Sequence, residues 1–385
     1  MENKTMMTEL NTGSSFWKSL LPSDEPNAPA SCLDQTSISI LQFAEKHLDE
    51  GTVLDVHGEE HNASYYAMCL FVTADSLVNE KKEDGSTDMA LTNQIIQCSL
   101  LVALEESYYA NLKPHGSYGS RLLFDMRRAG IKLSRPLIAA FLAQEGTWDS
   151  NRSKSDLMDG NTVAVAIYCS RLTTLCRSLL GLSNSLSGNE EALKTIEVNA
   201  KLETAEDVIR YYLENFAVSY LEAAGSKNAR DEIETFLAYL KKTDFYSAPC
   251  STKYHLSRVG GLSEHSINVM MQLLWLTLPA TKQQLGGCVL AGLGHDLCKI
   301  GVYHEEHRYN GDLWYSYKDS MPFGHGRKSA YILQGFFPEI SYELYAAVDG
   351  HMGEPEMMQI YSENVLALNL HIADMLATNL VEHGK

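Results

Sequence analysis

Residues 281–301 read TKQQLGGCVLAGLGHDLCKIG, and their pattern decides what kind of fold this chain adopts. Thr281 with Gln284 three positions later is a box-like pair that opens a helix. Val289, Leu290 and Leu293 keep that helix apolar to its end, where Gly294 is followed at once by His295 and Asp296. An unpaired carboxylate and imidazole at the end of a buried helix are costly to desolvate. A divalent cation held by adjacent His and Asp side chains is the commonest way to offset that cost.

Working outward, Ser263 is expected to cap a helix that runs to Leu278 and stops at Pro279, which places His265 in its first turn beside Val269 and Met270. Downstream, a helix capped by Ser362 and running to about Leu380 sets Asp374 among Leu366, Leu370, Ile372, Met375 and Leu376. Between these, His325 stands in Gly324-His325-Gly326 at the start of a helix. His351 closes the helix that contains Tyr345, Ala346 and Val348. Both lie at helix termini, where side chains from different segments can converge. Nine of the thirteen histidines fall from His255 onward. Density alone says little, because histidine is an ordinary surface residue as well as a ligand.

Helical periodicity runs through most of the chain, and strand-like alternation is short and rare, so the fold is expected to be mainly α. Helices are expected from about Ser37 to Asp49, Ala63 to Glu80, Met89 to Asn111, Tyr118 to Ala129, Arg135 to Gln144 and Val163 to Leu180. The longest stretch of small polar residues, Gly181 to Gly188, reads as a linker. It divides a helical N-terminal region, 1–188, from a C-terminal domain, 189–385. In the latter, Thr204 caps a helix with Val208, Ile209, Tyr212 and Leu213 on one face, and another follows from about Ala229 to Lys241.

The composition, 45% hydrophobic and 21% charged over 385 residues, is that of a globular protein. No apolar run reaches the eighteen or so residues of a membrane span, and the N-terminus lacks the order of a secretory signal, so the expected location is the cytoplasm. A formal charge of −18 argues against avid binding of duplex DNA and favours a small substrate. The eight cysteines form no C-x-x-C pair and read as reduced core thiols.

Taken together, His265, the His295-Asp296 pair and Asp374 resemble the signature of the HD-domain superfamily of metal-dependent phosphohydrolases, in particular uncharacterised bacterial and phage HD hydrolases. The resemblance covers roughly 243–378, about a third of the chain. It includes Gly260-Gly261-Leu262-Ser263-Glu264-His265, Gly294 to Lys299, Pro322 to Lys328 and His371 to Asp374. It implies an HD helical bundle whose four core ligands hold one divalent metal ion. With His325 and His351 in the two further ligand positions, it implies two, drawn from Mn, Fe, Co, Ni or Mg. Asp296 would bridge the ions, and Lys299 would reach a phosphate oxygen as a point charge. Lys253, His255, Arg258, Arg327 and Lys328 would add phosphate contacts.

The expected activity is hydrolysis of a phosphoester or phosphoanhydride in a nucleotide or short oligonucleotide by a metal-activated hydroxide. An HD-type di-iron oxygenase with the same six ligands is the alternative, and a nucleotide-binding sensor without turnover is another. Other residues read more plainly. His371 is structural or supports a ligand from behind, His304, His307 and His383 lie at the surface, and Glu264 is either a partner of a ligand imidazole or an exposed helix-start acid. His57-Gly58-Glu59-Glu60-His61 fits an inverted zinc-peptidase pattern, but beside a strand-like stretch it reads as a loop. The Met-rich stretch from Glu354 to Met358 reads as lid or packing.

Overall fold

The computed structural model describes residues 13–21, 33–79, 87–109, 112, 119–143, 160–176, 202–253, 255–278, 280–307, 313–320, 324–352 and 358–383. The fold is mainly α, with two small antiparallel hairpins among the described residues. The chain divides into two compact units, Met1–Leu186 and Ser187–Lys385. The stretch 181–188, read as the linker, lies outside the described residues.

In the N-terminal unit, α1 (13–20) and α2 (Gln35–Glu50) precede a short hairpin of β1 (Thr52–Leu54) and β2 (Glu60–Asn62). Then come α3 (Ala63–Val78), α4 (Met89–Ser107), α5 (Ser120–Arg128), α6 (Arg135–Leu142) and α7 (Thr162–Cys176). Asp34, Asn62, Asp88 and Ser134 open their helices by accepting a first-turn N–H, as short polar caps do. Helix α4 is buried almost all round, with Ile95, Leu100, Leu101 and Leu104 fully enclosed, and α2, α3, α6 and α7 pack around it. Each such side chain contributes about 1.5–3 kcal/mol of burial, so α4 anchors this unit.

The C-terminal unit begins with α8 (Ala205–Tyr212), opened by a capping box of Thr204 and Asp207. It continues through a π-turn at Leu213–Ala217 into α9 (Val218–Ala224) and then α10 (Ala229–Lys242). Next are α11 (Gly261–Thr277) and α12 (Lys282–Gly294), whose expected Thr281–Gln284 box is formed. A 3₁₀ turn, Leu297–Lys299, leads into a hairpin of β3 (Tyr303–His307) and β4 (Leu313–Tyr317). Helices α13 (His325–Phe336), α14 (Tyr342–Asp349), α15 (Met358–Glu363) and α16 (Val365–Leu376) follow, and α16 runs on through a π-turn at Ala377–Val381. Helix α12 is the hub: α9, α11, α14 and α16 all pack on it around Leu273, Leu290, Leu344 and Leu370.

Two helix starts differ from the sequence reading. Helix α11 is capped by Gly260 at φ +79°, not by Ser263, which lies inside the first turn and donates back to the Gly260 carbonyl at 3.0 Å. A left-handed glycine ends the preceding loop at little steric cost, and that outweighs the serine signal. Helix α16 is capped by Asn364, whose side chain accepts from Ala367 N at 3.0 Å, while Ser362 belongs to the preceding α15. No helix among the described residues is long and apolar enough to cross a membrane. The described cysteines are buried and free of disulfides.

Candidate metal centre

The end of α12 delivers His295 and Asp296 into the interior of the C-terminal unit, 0% and 2% exposed. His295 Nδ1 donates to the Gly292 carbonyl at 2.7 Å, which fixes the tautomer and leaves Nε2 as a lone pair. That Nε2 faces His265 Nε2 at 3.2 Å, brought in from the first turn of α11. His265 Nδ1 in turn lies 3.1 Å from both carboxylate oxygens of Glu382. Two imidazole nitrogens this close need a shared positive partner, either a proton on one ring or a metal ion. From α16, Asp374 Oδ1 comes within 3.3 Å of the same His265 Nε2, and Asp296 Oδ2 within 3.4 Å.

The other two histidines complete the ring. His351, just past α14, donates Nδ1–H to the Val348 carbonyl at 2.7 Å, and its Nε2 is buried with no hydrogen-bond partner. His325, the first residue of α13, donates to Asp296 Oδ1 at 2.5 Å. Donor atoms of His265, His295 and Asp374, and of His295, Asp296 and His351, lie within 4.8 Å of one another. Asp296, Cys298 and His325 form a further such group.

The six side chains expected as ligands are therefore brought together, and the arrangement fits a divalent cation on its own chemistry. An orphaned buried nitrogen costs about 1–3 kcal/mol, and a cation is the partner that a lone pair without a donor admits. Asp296 Oδ2 likewise has no hydrogen bond, although Lys299 Nζ stands 2.6 Å away as an ion pair.

Electrostatics point the same way. Burial pulls the His351 pKa down to about 3, aided by His295 and His325 nearby, and His295 is lowered too, so both stay neutral and ligand-ready. Burial opposes charge on His325, but the Asp296 carboxylate outweighs it and lifts the imidazole to about 10. His265 is raised as well: burial works against its charge, yet Cys250, Asp374 and Glu382 around it favour a proton. Asp296 and Asp374 sit well below the ordinary carboxylate range despite their burial, held there by Lys299 and the imidazoles. The buried cluster thus attracts positive charge.

The side chains read as phosphate contacts are placed differently from one another. Lys299, returned by the 3₁₀ turn, reaches the centre itself. His255 is half-buried with its ring 5.0 Å from that of His265. Lys328 is buried and committed to Asp319 at 2.7 Å, and Arg258 pairs with Glu264 at 2.5 Å. Arg327 is exposed, 3.7 Å from Asp349, and Lys253 is exposed. Glu264 is therefore the partner of Arg258. His371 donates Nδ1–H to the His351 carbonyl at 2.8 Å and stacks on Tyr361.

Two residues at the centre carried no signal in the sequence reading. Glu382, fully buried after the π-turn, accepts from Asn268 at 2.8 Å as well as from His265, completing a carboxylate–histidine relay behind a ligand. Cys250, read as a core thiol, lies 3.3 Å from His255 Nε2 and 3.4 Å from Lys299 Nζ. Burial would raise its pKa, but His265 and Lys299 bring the thiol down to about 6. Glu382→Gln removes the negative charge behind His265 while keeping the shape. It is expected to weaken Mn²⁺ affinity by about 10–100-fold in titration calorimetry with the fold intact. Unchanged affinity would reduce Glu382 to a packing role.

In the N-terminal unit, His57, Glu60 and His61 lie on and beside the β1–β2 hairpin, not on a helix. His57 and Glu60 are exposed, and His61 pairs with Asp55 at 3.0 Å. Asp55 also accepts from the His57 and Glu59 backbone N–H groups, which is the work of a turn. The stretch 353–357, most of the Met-rich segment, lies outside the described residues.

No family model, curated protein or solved structure matches this chain.

Proposed function

We propose that the C-terminal unit is a metal-dependent phosphohydrolase acting on a nucleotide or short oligonucleotide. The observation that carries this reading is the convergence of four imidazoles and two carboxylates in overlapping groups of donor atoms within 4.8 Å, with the His351 Nε2 lone pair unpartnered. His265, His295, Asp296, His325, His351 and Asp374 would hold one or two ions. Bound divalent cations polarise a phosphoryl oxygen and lower the pKa of water towards about 7.

The chain's own residues do the rest. Lys299 keeps Asp296 ionised from 2.6 Å and presents a fixed positive charge, 13% exposed, where phosphoryl oxygens would gain negative charge. His325, held against the other Asp296 oxygen, would give up its Nε2 proton on binding an ion, so metal uptake should release protons. Backbone carbonyls behind His295 and His351, and Glu382 behind His265, hold the rings in orientation, so little reorganisation is needed during reaction.

The test is a screen of Mn²⁺-, Co²⁺- and Mg²⁺-loaded protein, without oxygen, against deoxynucleoside triphosphates, nucleoside monophosphates, cyclic dinucleotides and short single-stranded oligonucleotides. Release of phosphate or a nucleoside monophosphate, lost in His295→Ala, is the expected result. In a parallel aerobic assay of Fe²⁺-loaded protein, turnover that consumes oxygen would replace hydrolysis with an oxygenase. Absence of turnover under every condition would overturn the enzymatic reading.

A further inference from the structure

The loop that precedes α11 is folded in an unusual way, and the fold has a chemical product. Leu256, fully buried, adopts φ +46° and is the one non-glycine residue with positive φ among those described. A branched residue held there costs about 1–3 kcal/mol, so neighbouring contacts must impose it. Three hydrogen bonds impose it. Cys250 N donates to the Leu256 carbonyl at 3.1 Å, Arg258 N donates to the same oxygen at 2.8 Å, and Ser251 Oγ donates to the His255 carbonyl at 2.8 Å. The loop is cinched shut at its neck, and the result is that Cys250 and His255 turn their side chains towards each other.

What they meet is a third donor. Cys250 Sγ is 3.3 Å from His255 Nε2, and His255 Nε2 is 4.0 Å from Glu382 Oε2, a carboxylate that is wholly buried. Metal–sulfur and metal–nitrogen bonds of about 2.3 and 2.05 Å in a tetrahedral zinc site imply a sulfur-to-nitrogen edge of about 3.6 Å, close to the 3.3 Å between Cys250 Sγ and His255 Nε2. His265 stands close enough that donor atoms of Cys250, His255 and His265 lie within 4.8 Å of one another, while its Nε2 is directed at His295 and Asp374.

We propose that Cys250, His255 and Glu382 form a second, thiolate-containing metal position beside the six-ligand centre, selective for a thiophilic cation such as Zn²⁺, Co²⁺ or Fe²⁺ over Mg²⁺. The inference rests on the reading of the neighbouring residues as a metal centre. Sulfur and imidazole donors are soft or borderline, and Mg²⁺ takes oxygen. Lys299 Nζ, 3.4 Å from Sγ, fits this arrangement as an N–H donor to a remaining sulfur lone pair. It also lies 2.6 Å from Asp296, so the same ammonium links the two positions and offsets the charge of both. Glu382 would serve on both sides, as orienter of His265 Nδ1 and as oxygen donor next to His255.

Cobalt reports this directly. The full chain loaded with Co²⁺ is expected to show a near-ultraviolet sulfur-to-cobalt charge-transfer band together with visible d–d bands. Cys250→Ser should remove the former, lower the cobalt content by one equivalent per chain and leave the visible bands of the six-ligand centre. Cys298→Ser, at the other thiol close to Asp296, should leave the charge-transfer band in place. If Cys250→Ser does not fold, His255→Ala should shift the band and lower the cobalt content. Cobalt bound with visible bands but no sulfur band overturns the second position and leaves the first standing. A band lost in Cys298→Ser and kept in Cys250→Ser also overturns it, whereas no cobalt bound at all would remove both.

Discussion

Asp296→Ala is expected to lower the stability of the metal-free chain by about 3–5 kcal/mol and to abolish its stabilisation by Mn²⁺. The carboxylate is 2% exposed and ion-paired on several sides, with Lys299 at 2.6 Å, His325 at 2.5 Å and His265 at 3.4 Å. Its removal leaves the Lys299 ammonium enclosed with a single thiol for company. The positive charge left in excess among Lys299, His325 and His265, more than the lost contacts, sets the size of the effect. The companion variant Asp296→Ala with Lys299→Met removes both charges and should recover much of the loss, because a pair replaced by apolar groups is close to neutral. Metal linkage adds a second readout. With Mn²⁺ at a hundred times its Kd, the wild-type chain should gain about 2.7 kcal/mol in urea unfolding, and neither variant should gain anything. Equal metal stabilisation in all three chains would remove Asp296 from the centre.

The parts of this site that the sequence disclosed are those with a local signature. His295 and Asp296 end an apolar helix, Asp374 interrupts another, and His325 and His351 sit at helix ends; each is visible within a few positions of itself. In the structure they join His265 in overlapping groups linked through His295 and Asp296. Helix starts were less secure where two signals competed, as at Gly260 against Ser263 and Asn364 against Ser362. The β3–β4 hairpin was not expected at all. Its strands are only five residues long, and their alternation of Tyr, Glu and His with Leu, Trp and Ser does not separate one buried face from one solvated face.

Glu382 and Cys250 were hidden for a different reason. Glu382 pairs with a residue 117 positions away, after a π-turn that breaks the 3.6-residue period, so no reading of its own neighbourhood places it inside. Cys250 looked like one more buried thiol. Only the closed loop that aims it at His255 and Lys299 sets it apart from the other buried cysteines.

Gly326→Ala is expected to disrupt the centre without touching a ligand. Gly326 follows His325 in the first turn of α13, and a Cβ there would overlap the Asp349 carbonyl oxygen and come within 2.7 Å of the Val348 carbonyl oxygen. Both carbonyls are backbone at the end of α14 and cannot swing away as a flexible side chain could. The second of them accepts the His351 Nδ1–H that fixes that ring. A methyl group therefore pries α13 from α14 at the point where the two helices present His325 and His351. Overpacking of this kind costs about 1–3 kcal/mol. The larger consequence is functional, because two ligands on separate helices lose their common target. Gly335, nine residues along the same helix, supplies the contrast. A Cβ there meets nothing within 4 Å, and alanine should stabilise the helix by about 0.4–1 kcal/mol with metal affinity unchanged. Urea unfolding and Mn²⁺ calorimetry on the two variants separate the effects. A Gly326→Ala chain that binds Mn²⁺ as tightly as wild type would show that the α13–α14 contact does not set the spacing of the ligands.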